Sequence, residues 1–476
     1  MPLDDLSVIA SRGLSVSSES ELSDNFKTFS SKRKELSGRV IDSDIAVLGN
    51  GENLHKRNSA DEKVFEIASI TKTFTAAALV KTIVDNPDVF DADDPLATKI
   101  SVFKDRLKPQ AKAYFEKLEA DPEFHYEDIT LRHLLNHSSG ITYQDFSDKF
   151  RSDQTKEDRL SEETIPVKSE SGFGNYDYSD ANYNYIIEPI IEAVTGRNFA
   201  TVVRDEIITT CELYQTFMFD EMQYDKDKNE VFVKDRPEIK VAQGYDYFDG
   251  KYTSTQDFNY DSAAGGMYAS ANDVAKFYQK LLSGETFGSK FDEMFFKEEN
   301  FIDSDKFKYG AGIRKVEHEG KEYFLHSGSA FGFNSYVWGQ RNLTGEKDVK
   351  TSAAMISYEN LTREIATNLI GDEKRNKEGK FCVDEELERA MEDVARLHSV
   401  DELVLMRKKL DEIKNPDKSL EQTSEEFRKI YSDYGLEKVR AKSERASMDL
   451  EDDREGSWVE RVQVARKESQ SNQNTH

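Results

Sequence analysis

The sequence predicts an α+β fold, an antiparallel sheet flanked by helices beside a mostly helical subdomain, with a helical extension at the C-terminal end. Three observations carry that prediction. One strand signal stands early in the chain, a helix-rich block follows, and a cluster of strand signals returns late. Such an order lets the early and late strands meet in one sheet, with the helices between them packed against it.

In chain order, residues 1–38 are rich in Ser, Asp and Lys and read as a lead-in. The stretch Asp44-Ile45-Ala46-Val47-Leu48, followed by Gly49-Asn50-Gly51, reads as a strand entering a turn. After Ala68 the alanines and apolar spacing through Val84 predict a buried helix. Residues from about 98 to 165 read as helices with polar loops. Tyr183 to Val194 is amphipathic at helical period and is closed by Thr195-Gly196, with Pro189 predicting a kink inside it. Strand signals return at Tyr309–Ile313, Tyr323–His326, Asn334–Trp338 and Thr351–Ser357.

Beyond about Asp372 the strand signals stop. Residues 373–445 carry apolar positions at helical spacing among many charges, and 446–476 form a polar tail read as disordered. The main domain is therefore expected over 39–372. The charged helices after it are candidates for a protein partner, or for the address of an exported effector, beside the plainer reading of a solvated face.

Composition excludes several classes. A formal net charge of −27 argues against nucleic acid or an anionic membrane as the main partner. Only two cysteines, Cys211 and Cys382, are present, so no disulfide framework is expected and a reducing compartment is acceptable. No run approaches the roughly 18 apolar residues of a membrane span, and the first 20 residues lack the basic and apolar regions of a Sec-type signal. A cytoplasmic location, or export by a signal-independent route, is expected.

The chemistry starts at Ser69-Ile70-Thr71-Lys72. On a helix, positions i and i+3 share a face, so the hydroxyl and the amine can meet. A serine in the first turn also gains the partial positive charge of the helix N-terminus, which favours a developing alkoxide. Four further segments come in order. They are ITLRHLLNHSSGI over 129–141, Tyr178-Ser179-Asp180, AAGGMYASANDVA over 263–275, and LHSGSAFGF over 325–333. In the first of these, His133 and His137 stand at i and i+4, a spacing that could chelate zinc. Leu134 occupies the place where a metalloprotease needs Glu, and no third ligand is apparent, so no metal is expected.

Together with FEIASITKTFTAA over 65–77, these segments resemble the signatures of the serine β-lactamase and DD-peptidase superfamily, in particular the class C β-lactamase-related hydrolases and their esterase-like members. The resemblance covers about residues 39–372. It implies a β-lactamase/transpeptidase-like fold and an acyl-enzyme mechanism without a cofactor. Ser69 is the implied nucleophile, and Lys72 and Tyr178 are the groups that take and return the proton. Asp180 stands where the family carries an Asn that binds the lysine and the substrate; a carboxylate there would pair with Lys72, hold it protonated and shift the proton role toward Tyr178. The last segment resembles the family's H-x-G strand. It implies that His326 stabilises the tetrahedral intermediate or assists the tyrosine, that Gly328 lets substrate lie against the strand, and that the Ser329 N–H completes an oxyanion hole with that of Ser69.

The expected function is hydrolysis of an ester, amide or peptide carbonyl in a small-molecule or peptide substrate, with esterase or DD-peptidase-like action preferred over drug resistance. The alternative is a hydrolase-fold protein that binds or scaffolds, suggested by Asp180 and the acidic appendage.

Overall fold

The computed structural model describes residues 42–356, apart from internal stretches of which 143–165 is the longest. The expected lead-in, helical extension and polar tail lie outside the described residues. Eight antiparallel strands form the main sheet: β1 (Ser43–Gly49), β2 (Glu52–Asn58), β3 (Ile302–Asp303), β4 (Lys308–Tyr309), β5 (Arg314–His318), β6 (Lys321–Ala330), β7 (Phe333–Arg341) and β8 (Lys350–Ile356). Their order is β3-β4-β5-β6-β7-β8-β1-β2, so the first strand lies beside the last. The register runs Ile45↔Ala354 between β1 and β8, and His326↔Val337 between β6 and β7.

The helices are α1 (Thr71–Asp85), α2 (Leu96–Phe103), α3 (Pro109–Ala120), α4 (Leu131–Leu135), α5 (Glu188–Thr195), α6 (Phe199–Val203), α7 (Ala271–Leu282) and α8 (Ser289–Phe295). Helix α1 is buried on nearly every side, which its run of Ala, Phe, Leu and Val allows. Its interior threonines find acceptors: Thr73 donates to the Gly312 carbonyl at 2.6 Å and Thr75 to that of Ala263 at 2.7 Å. Phe74 stacks on Phe277 of α7 at 3.8 Å between ring centroids, and burying each such ring contributes about 1.5–3 kcal/mol.

Helix α7 joins the sheet to the site. Ser270 caps it by accepting the Asp273 N–H at 3.2 Å, and the Asp44 carboxylate of β1 accepts the Ala271 N–H at 2.7 Å. Thr351 of β8 donates to the Ala275 carbonyl at 2.8 Å. A small sheet of Phe65–Glu66, Met267–Ala269 and Thr216–Met218 then sets the chain leading into Ser69.

Two local expectations differ from what forms. The strand signal over Tyr309–Ile313 yields a strand only at Lys308–Tyr309, because the chain turns through Gly312 at φ +65° before β5 begins. A Cβ on Gly312 would also meet the Lys72 carbonyl at 2.4 Å, so this turn packs directly behind α1. Around Pro189 the irregularity is a π-turn over Asn182–Ile187, in which the Glu188 N–H reaches back to the Tyr183 carbonyl. Pro189 has no N–H to continue α-type pairing, and the wider turn precedes it. The region 220–260 carries the hairpin strands Met222–Asp225, Glu230–Val233, Arg236–Lys240, Gly244–Phe248 and Lys251–Thr255.

Candidate active site

Ser69 lies in a tight 3-10 turn, Ala68–Ile70, that feeds directly into α1. Ala68 before it has φ +46°, a left-handed conformation that costs a residue with a Cβ of the order of 1 kcal/mol. The turn is held from several sides: the Ile67 N–H donates to the Met267 carbonyl at 3.0 Å, and Ser335 of β7 donates to the Ile67 carbonyl at 2.8 Å. Ser69 itself is half-buried.

Lys72, one turn on, is fully buried, and its Nζ is 3.0 Å from Ser69 Oγ, 2.8 Å from the Ala264 carbonyl and 2.6 Å from Asp180 Oδ1. The ammonium thus donates to two oxygens and pairs in charge with a third. The aromatic faces of Tyr178 and Tyr183 lie 4.9 and 5.8 Å from the charge. Burial pushes the lysine pKa down, but the charge of Asp180, the influence of Tyr178 and their hydrogen bonds outweigh it and hold the amine above its usual range. Lys72 rests as an ammonium.

Tyr178 comes from the segment entering the π-turn. Its hydroxyl is buried without a well-aligned hydrogen bond, although it lies close enough to Lys72 and Ser69 to be influenced by both. Burial raises the phenol pKa more than the Lys72 charge lowers it, so the phenol is neutral. Asp180 is 27% exposed at its side chain and engages the lysine directly.

His326 reaches the wall of the site behind Tyr178, with ring centroids 6.4 Å apart, but it is fully buried and both nitrogens are engaged. Nε2 pairs with the Tyr309 hydroxyl at 2.8 Å and Nδ1 with the Ser327 carbonyl at 2.8 Å. Burial, then the charges of Arg314 and Lys72, push the imidazole well below 6.5. A neutral ring donating from Nδ1 and accepting at Nε2 has no nitrogen left for a substrate, so this geometry fits a positioning role.

At Gly328 the space a side chain would need is taken by the Ile67 carbonyl, 2.1 Å from where a Cβ would stand. The glycine serves the junction between β6 and the turn carrying Ser69. Ser329 comes next on β6, opposite Asn334, and is exposed.

His133 and His137 do not share a helix face. Helix α4 ends at Leu135, His137 has φ +62°, and its Nδ1 accepts the Ser179 N–H at 3.1 Å. The His133 ring instead closes the helix start, Nδ1 accepting the Thr130 N–H at 3.1 Å. Both histidines are structural in this arrangement, and no group of three His, Cys, Asp or Glu among the described residues is placed to hold a metal.

Two contributors escape a reading by motif. Asn184, in the π-turn, accepts the Ala264 N–H at 2.9 Å and so anchors the residue whose carbonyl holds Lys72. Tyr309 fixes His326. The available signal for Asn184 is its spacing four residues after Asp180, which places both on one side of a helical turn; nothing local marks Tyr309.

A sequence profile of the family named Beta-lactamase matches residues 37–346. Penicillin-binding protein 4* of Bacillus subtilis (strain 168) is 26% identical over 179 residues, which are 36% of this chain and 34% of that protein. The chain thus aligns with about a third of that relative's length. The octameric penicillin-binding protein homologue from Pyrococcus abyssi superposes with a TM-score of 0.52 at 19% identity, over 71% of this chain and 73% of that one. At that identity the likeness is one of fold, the β-lactamase/transpeptidase fold. A D-stereospecific amidohydrolase from Streptomyces sp. superposes with a TM-score of 0.48 at 20% identity, over 66% and 88% of the two chains.

Proposed function

The chain belongs to the beta-lactamase family, and from that premise we propose that it is a serine hydrolase working through an acyl-enzyme on Ser69. The observation that carries this reading is the buried Lys72 amine 3.0 Å from the Ser69 hydroxyl, at the entrance to α1. A hydroxyl so placed is oriented by one fixed donor and shares the positive end of a helix.

In the proposed reaction Ser69 Oγ attacks the carbonyl of an ester, amide or peptide. The Lys72 ammonium stabilises the charge that gathers on the attacking oxygen, and the N–H groups of Ser69 and Ser329 are the proposed donors to the oxyanion. Tyr178, a neutral phenol beside both Ser69 and Lys72, is placed to return a proton to the leaving group. His326 and Tyr309 hold the wall behind that phenol. Water then attacks the acyl-enzyme by the same route in reverse. Esterase or D-alanyl peptidase action is the preferred substrate class.

The test is covalent labelling of the purified protein with a fluorophosphonate and with a fluorescent penicillin, beside Ser69→Ala. Labelling that disappears in the variant supports the enzyme; a folded wild-type protein that neither probe labels would refute it. A panel of short-chain acyl esters, D-alanyl peptides and a chromogenic cephalosporin then ranks substrates. One observation favours a second reading, a binding module with the hydrolase fold: Asp180 holds Lys72 as an ammonium, which cannot itself accept the Ser69 proton.

A further inference from the structure

The serine-hydrolase reading leaves the Ser69 proton without a destination. The Lys72 ammonium has no lone pair; its Nζ donates to Ser69 Oγ and the Ala264 carbonyl and forms an ion pair with Asp180 Oδ1, an oxygen that has no aligned hydrogen bond. Tyr178 is a buried phenol with no aligned acceptor or donor of its own. His326 has both nitrogens committed. Among the described residues, the anion in direct contact with Lys72 is Asp180, at the shortest of the three distances, 2.6 Å. Its side chain is 27% exposed, while Oδ1 itself is buried against the lysine.

Resting on the serine-hydrolase reading, we propose that Asp180 is the terminal proton acceptor of the reaction, reached from Ser69 through Lys72. Transfer of one Nζ proton to Asp180 Oδ1 makes a neutral amine and a carboxylic acid. Rotation about the Cε–Nζ bond then aims the freed lone pair at Ser69 Oγ. As the Oγ–carbon bond forms, the Ser69 proton moves to Nζ and the carbonyl π pair moves onto oxygen. The step begins with an ammonium, a carboxylate and a neutral carbonyl. It ends with an ammonium, a carboxylic acid and an oxyanion, so charge and protons balance. Collapse of the intermediate expels the leaving group, which takes the Tyr178 phenol proton; Lys72 refills the phenol as Asp180 gives its own proton back to Nζ. Deacylation repeats the cycle with water in place of Ser69.

The Ala264 carbonyl gives the rotation a direction, since the turn that aims the lone pair at Ser69 still leaves an N–H on this carbonyl. In this relay the carboxylate is the group that allows the lysine to work while charged. A carboxylate that merely locked the lysine would instead be an inhibitor of it.

The two roles move the pH profile in opposite directions. The rate of Ser69-dependent fluorophosphonate labelling is measured from about pH 5 to about pH 10 in wild type, Asp180→Asn and Asp180→Glu. Asparagine keeps an acceptor for Nζ and removes only the charge and the basicity. In the relay, wild type labels through neutral pH, Asp180→Asn loses about tenfold or more near pH 6 and recovers at alkaline pH, and Asp180→Glu keeps the neutral-pH rate within about threefold. An acid limb that moves down in Asp180→Asn, with faster labelling at neutral pH, would overturn the relay while leaving the hydrolase intact. A uniform loss in Asp180→Asn at every pH, without a shift of the limb, would also overturn it. Absence of Ser69-dependent labelling in wild type at any pH would overturn the hydrolase reading and the relay together.

Discussion

The side-chain oxygen of Asn184 accepts the backbone N–H of Ala264 at 2.9 Å, and the carbonyl of the same residue accepts Lys72 Nζ at 2.8 Å. The π-turn thereby reaches Lys72 through one residue of another segment. Asn184→Leu keeps the volume and removes the acceptor. The expected outcome is a kcat/KM lower by about tenfold, carried by kcat, because a loosened Ala264 carbonyl lets the amine drift from Ser69. Steady-state kinetics on the best ester of the panel check it; an effect confined to KM would place Asn184 in substrate binding instead.

Tyr178→Phe separates chemistry from stability. The Tyr178 hydroxyl is buried without an aligned partner, so removing it relieves a desolvated polar group rather than breaking a bond. Thermal stability is expected to stay level or rise, while the rate falls by about a hundredfold or more if the phenol returns the proton. A destabilised variant with unchanged rate would contradict both statements.

Gly328→Ala acts on the turn carrying Ser69 from behind. The new methyl would stand 2.1 Å from the Ile67 carbonyl and 2.4 Å from Ser335 Oγ, a backbone clash that no rotamer relieves. A cost of about 1–3 kcal/mol is expected. The displaced segment is the one that carries Ser69, so acylation should fall by more than the loss of folded protein explains. Denaturant titration beside the labelling rate tests this, and a variant with normal stability and rate would show that β6 can move away freely.

Much of this arrangement could be read from residues close in sequence. Ser69 and Lys72 are three apart on a helix, the Ser270 cap is local, and the early strand pairs with the late ones because both are apolar runs seeking a partner. What could not be read are relations fixed only in three dimensions. The 2.6 Å contact of Lys72 depends on where the segment entering the π-turn places Asp180, and that turn arises where Pro189 interrupts α-type pairing. His326 looks like a free imidazole in sequence; Tyr309, 17 residues away, commits it. The Gly244–Phe248 and Lys251–Thr255 strands have a local cue in Asp249-Gly250, the dipeptide of tight hairpins, which acidic composition obscures.

The two buried imidazoles set the acid stability of the fold. His326 and His137 are both held well below 6.5, first by burial and then by positive charge: Arg314, then Lys72, at His326, and Lys72, then Arg314, at His137. The Ser327 contact at His326 and the Ser179 contact at His137 act the other way and are outweighed. The unfolded chain protonates both rings below about pH 6.5 while the folded chain does not, so it binds more protons in that range. Their contribution to stability is complete above that pH and is lost as the pH falls, by about 1.4 kcal/mol per pH unit for each ring. His326→Gln keeps an oxygen that can accept from Tyr309 and removes one titrating ring. Urea unfolding of wild type and variant at about pH 7 and about pH 5 should therefore show the variant losing less stability on acidification, by about 1–2 kcal/mol. The carboxylates that titrate in the same range are common to both proteins and cancel in the comparison. Equal losses in the two proteins would mean that His326 takes up a proton in the folded state, and with it the fixed neutral pairing to Tyr309 would have to be given up.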